Sequence, residues 1–313
     1  MSMIITVAIV CCNGGQKFSD CLHCLTSQRV ISADRIRVYD LGSEDGSQQT
    51  AQTYGCKVIP LARRAFVNET ALMRHVIYDN LDSDILISLA PDAEIDPSGI
   101  CELFRYFLKY PDLAVVTGRQ VSAPNAGHLT RYTHNFLYPF TRKDIPAWHL
   151  QRVFSSFAMV AWRTRYLAIP GVVPGSSVYA FADIYIAARL ASKGYRTLYN
   201  PMAICLTGTT VTPGGVFRTG YHLFWFLRHQ SWLRHRWNLR IRDARAFFKG
   251  FSDYLSSYSS IPLMFLWAWL LYLITLLAAL LCNIRCYFSE RQKRKTGKGF
   301  IRRLFASSER TSE

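Results

Sequence analysis

The sequence predicts an α/β domain with a mostly parallel sheet, followed by a membrane-associated helical region. Two observations predict this architecture. Over the first two-thirds of the 313 residues, short apolar runs typical of strands alternate with segments that have helical spacing. Further on, an uncharged apolar run at residues 263–282 lies between segments rich in arginine and lysine. Alternating strands and helices favour right-handed crossovers and a sheet covered by helices on both faces.

The strand and helix signals follow one another from the N-terminus. Strands are predicted at residues 4–11, 35–40, 56–60, 85–89 and 114–117. Helices are predicted at residues 18–28, 47–54, 68–80 and 97–110, the last with Pro97 at its first position. A further strand-like run at residues 178–181 precedes a predicted helix at residues 184–192.

The net charge of +16 requires either an anionic partner or an anionic surface. Basic residues mixed with tryptophan at residues 225–249, and a basic tail after Cys282, suit nucleic acid or anionic lipid. The apolar run between them favours the membrane, because about 20 helical residues reach about 30 Å, one hydrocarbon core. We therefore expect membrane association and no nucleic acid partner. A full span competes with a re-entrant or in-plane arrangement, since both flanks are basic.

These patterns divide the chain into four predicted segments. The α/β domain is expected at residues 1–215 and a basic amphipathic interface region at residues 216–260. A hydrophobic membrane segment follows at residues 261–283, and a basic tail at residues 284–313.

Polar residues follow the predicted strands at the points where ligands bind in parallel sheets. The first strand leads into Asn13-Gly14-Gly15, the second into the run from Asp40 to Ser47, and the strand at residues 85–89 leads to Asp92. In such sheets ligands lie beyond the carboxyl ends of the strands, so Asp40 and Asp92 are predicted to share one rim. The glycines allow backbone amides to approach a bulky polar ligand.

These motifs resemble those of family 2 glycosyltransferases with the GT-A fold, most closely the bacterial rhamnosyltransferase-like members. The family's Asp-x-Gly-Ser-x-Asp-Gly-Thr signature matches the run from Asp40 to Ser47, and its opening turn matches Cys12-Asn13-Gly14-Gly15. Its Gln-Asp-Ala variant of the Asp-x-Asp motif matches Pro91-Asp92-Ala93. The likeness extends over residues 4–232. It implies a Rossmann-like nucleotide-diphospho-sugar transferase domain and a hexosyltransferase-type enzyme with a nucleotide-sugar donor.

The resemblance also implies roles for the rim residues. Asn13, Asp40, Gly42, Ser43 and Asp92 are expected to bind the nucleotide sugar, with Asp40 accepting hydrogen bonds from its base and ribose. Asp92 is expected to bind Mg²⁺ or Mn²⁺, which neutralises the diphosphate leaving group. The alternatives are a turn-capping role for Asp40 and a solvated loop position for Asp92.

Asp183 matches the family's general base, which takes the proton of the acceptor hydroxyl in an inverting transfer. The glutamate that usually precedes it is Ala182 here. The alternative for Asp183 is an N-cap of the helix that follows.

Other departures from the family pattern leave a second function open. The family's late histidine is absent, and Thr207 and Thr209 occupy this region as possible phosphate contacts. Positive charge toward a diphosphate is otherwise available from Arg63, Arg64, Arg74 and Arg119. We therefore expect sugar transfer to a lipid-linked or saccharide acceptor in surface polysaccharide synthesis, with the catalytic domain on the cytoplasmic side of the inner membrane. The alternative is a catalytically degenerate, membrane-bound partner of an active transferase.

Overall fold

The computed structural model describes residues 3–28, 30–138, 140, 143–144, 158–175 and 181–215, with residues 253, 273, 277, 280, 281 and 284. The chain divides into two compact units, and residues 1–212 belong to the first. The sheet and the candidate site both belong to this first unit. The four predicted segment boundaries stay predictions.

The first unit alternates strands and helices, as the sequence predicts. The strands are β1 Ile5–Cys11, β2 Ile36–Asp40, β3 Lys57–Pro60, β4 Ile85–Leu89, β5 Ala93–Ile95, β6 Leu113–Ser122, β7 Lys143–Asp144, β8 Met159–Arg163 and β9 Arg196–Thr207. The helices are α1 Gly15–Ser27, α2 Ser47–Thr53, α3 Glu69–Asp79, α4 Gly99–Lys109, α5 His128–Leu137, α6 Thr164–Leu167 and α7 Ala182–Ser192. The α/β class is confirmed. Helix α4 begins at Gly99, so Pro97 precedes the helix instead of opening it. The predicted strand-like run at residues 178–181 lies outside the described residues except for Phe181.

The strands form a single mixed sheet in the order β3-β2-β1-β4-β8-β6-β9-β5, with β7 also paired to β9. Strands β3, β2, β1 and β4 are parallel neighbours, and β6 is parallel to β9. Strand β8 runs antiparallel to both β4 and β6, and β5 and β7 run antiparallel to β9. The sequence predicts a mostly parallel sheet, and the structure differs, because four of the eight strand pairings among the described residues are antiparallel.

The core packs helix α1 against the parallel half of the sheet. Val7, Ile9, Ile85 and Ile87 of the central strands are fully buried. Helix α1 buries the side chains on one of its faces, which are Phe18, Cys21, Leu22 and Leu25. Strands that are buried on both faces need apolar side chains at nearly every position. The continuous apolar runs in the sequence predict these central strands for that reason. This rigid frame holds the loops at the carboxyl ends of the strands.

The predicted membrane segment lies almost wholly outside the described residues. Among the residues that the structure does describe, no helix is both long enough and apolar enough to cross a bilayer. Five isolated positions in and beside the segment are helical and exposed, namely Leu273, Leu277, Leu280, Leu281 and Ile284.

Candidate functional site

The sheet topology brings the predicted nucleotide-binding residues to one edge. Cys11 of β1 is paired in parallel with Asp40 of β2, and Ile9 of β1 with Leu89 of β4. The loops that follow these strands therefore leave the sheet at the same edge, which we call the carboxyl edge. Asp40 is the last residue of β2, and Asn13 and Asp92 lie in the loops after β1 and β4. The structure places these three residues at one rim, as expected for a ligand site in a parallel sheet.

The turn after β1 is tied to the loop after β2 by direct hydrogen bonds. The backbone N–H of Asn13 donates to Ser43 Oγ at 2.9 Å, and the N–H of Gly14 donates to Ser47 Oγ at 3.0 Å. In return, the N–H of Glu44 donates to Asn13 Oδ1 at 2.8 Å. The Asp-x-Gly-Ser-x-Asp-Gly-Ser run thus holds the two loops together as one unit.

Local backbone geometry explains the residue types in this unit. Gly42 and Gly46 have φ values of 82° and 85°, a region that side chains strongly disfavour. Asn13 also has a positive φ, 53°, and asparagine tolerates this conformation better than most residues. The glycine spacing of the motif is therefore required by the turn itself.

Asp40 is buried and fully engaged by its own loop. Its Oδ2 accepts hydrogen bonds from the N–H groups of Gly42 at 3.0 Å and Ser43 at 2.9 Å, and from Gln48 Nε2 at 2.6 Å. Its Oδ1 accepts from the Ser43 hydroxyl. Burial opposes ionisation, but these hydrogen bonds outweigh it and lower the pKa of Asp40 below its ordinary value. The turn-capping alternative therefore describes what Asp40 does here, and nucleotide binding by Asn13, Asp40, Gly42 and Ser43 stays a prediction.

Asp92 is half-buried after β4, next to the segment that follows β9. Thr209 Oγ1 donates to Asp92 Oδ2 at 3.4 Å, a long contact. The hydroxyl of Thr207 is buried and accepts from Gln120 Nε2 at 3.0 Å. Of the two threonines in this region, Thr209 is thus the one that contacts the predicted metal ligand.

The donor groups around Asp92 are few. Within the described part of the chain, no cluster of His, Cys, Asp or Glu residues is suited to hold a metal ion with three or more ligands. One carboxylate and a neighbouring hydroxyl still fit Mg²⁺, because Mg²⁺ is commonly bound by one or two carboxylates together with substrate phosphates. The predicted role of Asp92 as a metal ligand stays a prediction.

Asp183 lies in the first turn of α7. The helix begins at Ala182, and Phe181 occupies the cap position with a φ of 60°, so the N-cap alternative for Asp183 is wrong. Asp183 Oδ1 accepts a hydrogen bond from the N–H of Ile184 at 2.8 Å. Burial of the carboxyl group, with a smaller contribution from the charge of Glu69, raises the pKa of Asp183 to about 8. A carboxyl group with a pKa near neutrality suits proton transfer.

The topology also assigns Asp183 to the carboxyl edge. Helix α7 leads directly into β9, which is parallel to β6, so the helix begins at the edge where β9 ends. Glu69 begins α3 after the carboxyl end of β3 and contributes to the raised pKa of Asp183. The acids expected to bind the donor and to act as base therefore lie along the same edge.

The four arginines that could supply positive charge toward a diphosphate differ in their surroundings. Arg63 and Arg64 are exposed in a short 3-10 helix after β3. Arg74 lies 5.4 Å from the ring centre of Tyr78. Arg119 donates to an Asn135 oxygen at 3.5 Å and lies 5.2 Å from the ring centre of Phe140.

Sequence reasoning missed a lysine at this edge. The side chain of Lys17, in the first turn of α1, lies directly over Gly208, the residue before Thr209. No local signal identifies this pair, because the two residues are far apart along the chain.

Comparison with known proteins gives a family and curated relatives. The family model described as "Glycosyl transferase family 2" matches residues 6–164. The O-antigen chain rhamnosyltransferase RfbN of Salmonella typhimurium is 25% identical over 238 residues, covering 74% of this chain and 75% of that protein. The O-antigen chain rhamnosyltransferase WbaN of Salmonella anatum is 23% identical over 226 residues, covering 71% of each.

Solved structures share the fold at low sequence identity. A mannosyltransferase from Pyrobaculum calidifontis, in complex with GDP-Man and Mn²⁺, has a TM-score of 0.61 at 15% identity, covering 91% of this chain and 88% of that chain. S. aureus TarS has a TM-score of 0.53 at 12% identity, with coverage of 72% and 65%. These similarities show that the first unit has a GT-A-like α/β fold.

Proposed function

This chain belongs to glycosyl transferase family 2, close to its rhamnosyltransferase-like members, and from that premise we propose an inverting sugar transfer from a nucleotide-sugar donor. The observation that carries the proposal is the placement of Asp183. Its carboxyl group has a pKa of about 8. Asp183 lies in the first turn of α7, at the carboxyl edge to which Asp40 and Asp92 also belong. A base poised near neutral pH is what activation of an acceptor hydroxyl requires.

The proposed reaction is a single displacement. The acceptor oxygen attacks the anomeric carbon while Asp183 takes the hydroxyl proton, and the bond to the nucleoside diphosphate breaks with its electron pair leaving on the phosphate oxygen. Asp40 and its loop bind the nucleoside end of the donor, and Asp92 lies toward the diphosphate. Asp92 would hold a Mg²⁺ or Mn²⁺ ion, which would neutralise charge on the diphosphate. The Pyrobaculum calidifontis mannosyltransferase, whose structure contains GDP-Man and Mn²⁺, supports this requirement.

The proposed substrates follow from the named relatives. Both of these relatives are O-antigen chain rhamnosyltransferases. We therefore propose a nucleotide-activated hexose as donor, and rhamnose is the first sugar to test. The acceptor is a lipid-linked saccharide or a free saccharide chain in surface polysaccharide synthesis.

We further propose that the protein acts at the cytoplasmic face of the inner membrane. The support is the basic, tryptophan-rich sequence around residues 225–249 and the exposed apolar side chains at Leu273, Leu277 and Leu280. Such apolar groups associate with lipid, and arginine and tryptophan are common at the membrane interface. Flotation with vesicles containing anionic lipid tests the membrane association in this proposal. Full-length protein is expected to float, and a chain ending at Gly250 is expected to lose most of the binding.

The direct test is sugar transfer by the purified full-length protein. Release of nucleoside diphosphate is measured with UDP-, GDP- and dTDP-linked sugars, including a rhamnose donor, with and without Mn²⁺. An Asp183→Asn variant serves as control because it keeps size but removes the base. Donor-dependent release that this variant loses supports the proposal. Equal release by both proteins would contradict the role of Asp183.

A catalytically degenerate partner protein is the second candidate. The observations that favour it are Ala182 in place of the family's glutamate and, among the described residues, the lack of a cluster of three or more metal ligands. This candidate predicts binding of nucleoside diphosphate without turnover of any donor. Binding with turnover excludes it.

A further inference from the structure

The carboxyl edge needs a source of positive charge for a diphosphate, and the amides after β1 are already committed. The N–H groups of Asn13 and Gly14 donate to Ser43 and Ser47, and the N–H of Gly15 donates to Asp45 Oδ2 at 2.8 Å. A helix N-terminus often binds phosphate through backbone N–H groups that have no other acceptor. Here Ser43, Ser47 and Asp45 occupy the amides of Asn13, Gly14 and Gly15, so a side-chain cation would add positive charge that these three amides cannot supply.

Lys17 lies over the residue that precedes the neighbour of Asp92, the metal-binding candidate. A Cβ atom built on Gly208 overlaps Lys17 Nζ and lies 3.1 Å from its Cε and 3.3 Å from its Cδ. The lysine side chain therefore occupies the space that a side chain at position 208 would fill. The next residue, Thr209, contacts Asp92. Lys17 is itself exposed, so its ammonium group is open to a ligand.

The surrounding strands explain why these residues meet. Ala93, which follows Asp92, is paired with Thr207 in the β5–β9 ladder. The start of β5 and the end of β9 are therefore adjacent. Helix α1 lies near the same place, since the thiol of Cys21 donates to the carbonyl of Ala90 at 3.8 Å. Lys17 is one turn earlier on this helix, toward its N-terminal end.

We propose that Lys17 is a diphosphate-binding residue of the donor site, seated over Gly208 and acting beside Asp92 and Thr209. This inference rests on the proposed nucleotide-sugar donor. The ammonium group donates hydrogen bonds to the phosphate oxygens and stabilises the negative charge that grows on the leaving diphosphate. It supplies a cation on the side of the site where the family's late histidine is replaced by Thr207-Gly208-Thr209. A side chain at position 208 would take the space that the end of the lysine side chain now occupies.

The first test compares phosphorylated and unphosphorylated ligands. Dissociation constants for UDP, GDP and dTDP, and for the matching nucleosides, are measured by calorimetry with wild type, Lys17→Met and Lys17→Arg. Lys17→Met is expected to weaken the tightest diphosphate roughly ten-fold or more while leaving its nucleoside unchanged. Lys17→Arg keeps the charge and is expected to retain most of the affinity. Lys57→Met is the matched control, since Lys57 is an exposed lysine at the start of β3, the opposite edge.

The second test moves the charge without removing it. Gly208→Ala forces Lys17 Nζ away from its place but keeps the charge of the chain, and position 208 has no positive φ that would strain an alanine. It is expected to weaken diphosphate binding about three-fold. Gly214→Ala is the control, since a Cβ there meets nothing within 4 Å. Thermal unfolding of each variant shows that it is folded.

Inorganic pyrophosphate separates this inference from the donor assignment. If wild type binds none of the nucleotides but binds pyrophosphate in a manner that Lys17→Met weakens, the lysine site stands and the donor assignment fails. If Lys17→Met binds the diphosphates as tightly as wild type, or loses nucleoside and diphosphate affinity equally, the inference is overturned. Absence of any binding to pyrophosphate and nucleotides by wild type overturns it as well.

Discussion

Gln48 donates a 2.6 Å hydrogen bond from its side-chain amide to Oδ2 of Asp40. Gln48 lies on the first turn of α2, and the same Asp40 oxygen also accepts from the N–H groups of Gly42 and Ser43. The carboxylate predicted to bind the nucleotide is thus also the organiser of its own loop. Substitutions at Asp40 are expected to change stability as well as ligand binding, and the two effects have to be measured separately.

Asp40→Asn is expected to lower the free energy of unfolding by about 1–3 kcal/mol at pH 7, because the uncharged amide loses charge-assisted hydrogen bonds. The pKa of Asp40 is depressed, so its stabilising effect is present above the unfolded pKa. That effect is lost as the pH falls through the lower, folded pKa. Urea unfolding of both proteins at a series of pH values measures this. A difference that stays constant down to the lowest pH would contradict the assignment.

Gly14→Ala is expected to destabilise the fold by about 1–3 kcal/mol through overpacking. A Cβ at this position meets Phe18 Cβ at 2.5 Å and Cys11 Sγ at 2.9 Å, and both side chains are buried. Gly175→Ala is the matched control, because a Cβ there meets nothing within 4 Å. Thermal melting compares the variants. Equal melting temperatures for the two would show that the start of α1 adjusts without cost.

Asp92→Asn is expected to weaken binding of nucleoside diphosphate in the presence of Mn²⁺ by about ten-fold, because an amide is a poorer ligand for a hard cation than a carboxylate. In the presence of a chelator the variant and wild type are expected to bind alike. Calorimetric titrations under both conditions check this. An equal loss with and without Mn²⁺ would indicate that Asp92 acts on the nucleotide and not through a metal.

Asp183→Asn is expected to lower turnover by about 10² or more while donor binding persists, because the variant lacks the proton acceptor. In wild type, kcat/KM is expected to rise with pH up to about 8, the pKa of Asp183, since only the ionised form acts as base. Steady-state kinetics over a pH series measure the profile. Near-normal turnover by the variant would remove Asp183 from the mechanism.

The raised pKa of Asp183 also predicts how the stability of the protein depends on pH. Between its ordinary pKa of 3.8 and its folded pKa of about 8, the native state binds more protons at Asp183 than the unfolded chain. Its contribution therefore favours folding at low pH and is lost as the pH rises through about 8. The unfolding free energy of wild type relative to Asp183→Asn is expected to fall across this window and to level above it. Denaturant titrations at pH 5, 7 and 9 suffice, and a difference that rises with pH would refute it.

The sequence by itself determined the parts of this protein that depend on neighbouring residues. Apolar runs at the central strands predicted β1 and β4, because strands buried on both faces need continuous apolar side chains. The Asp40–Ser47 motif predicted a polar loop at a strand end, since Gly42 and Gly46 are required by their positive φ values. Each of these signals acts over a few residues, so the printed sequence contains it in full.

Only the tertiary structure decided how distant groups act on one another. The raised pKa of Asp183 arises mainly from desolvation by packed residues, which no local pattern encodes. The N-cap alternative for Asp183 is wrong because the helix begins at Ala182, with Phe181 in the cap position. The contact of Lys17 with Gly208 joins residues from α1 and from the segment after β9. Desolvation and close approach depend on what surrounds a group in space, and for these residues the surroundings come from remote parts of the chain.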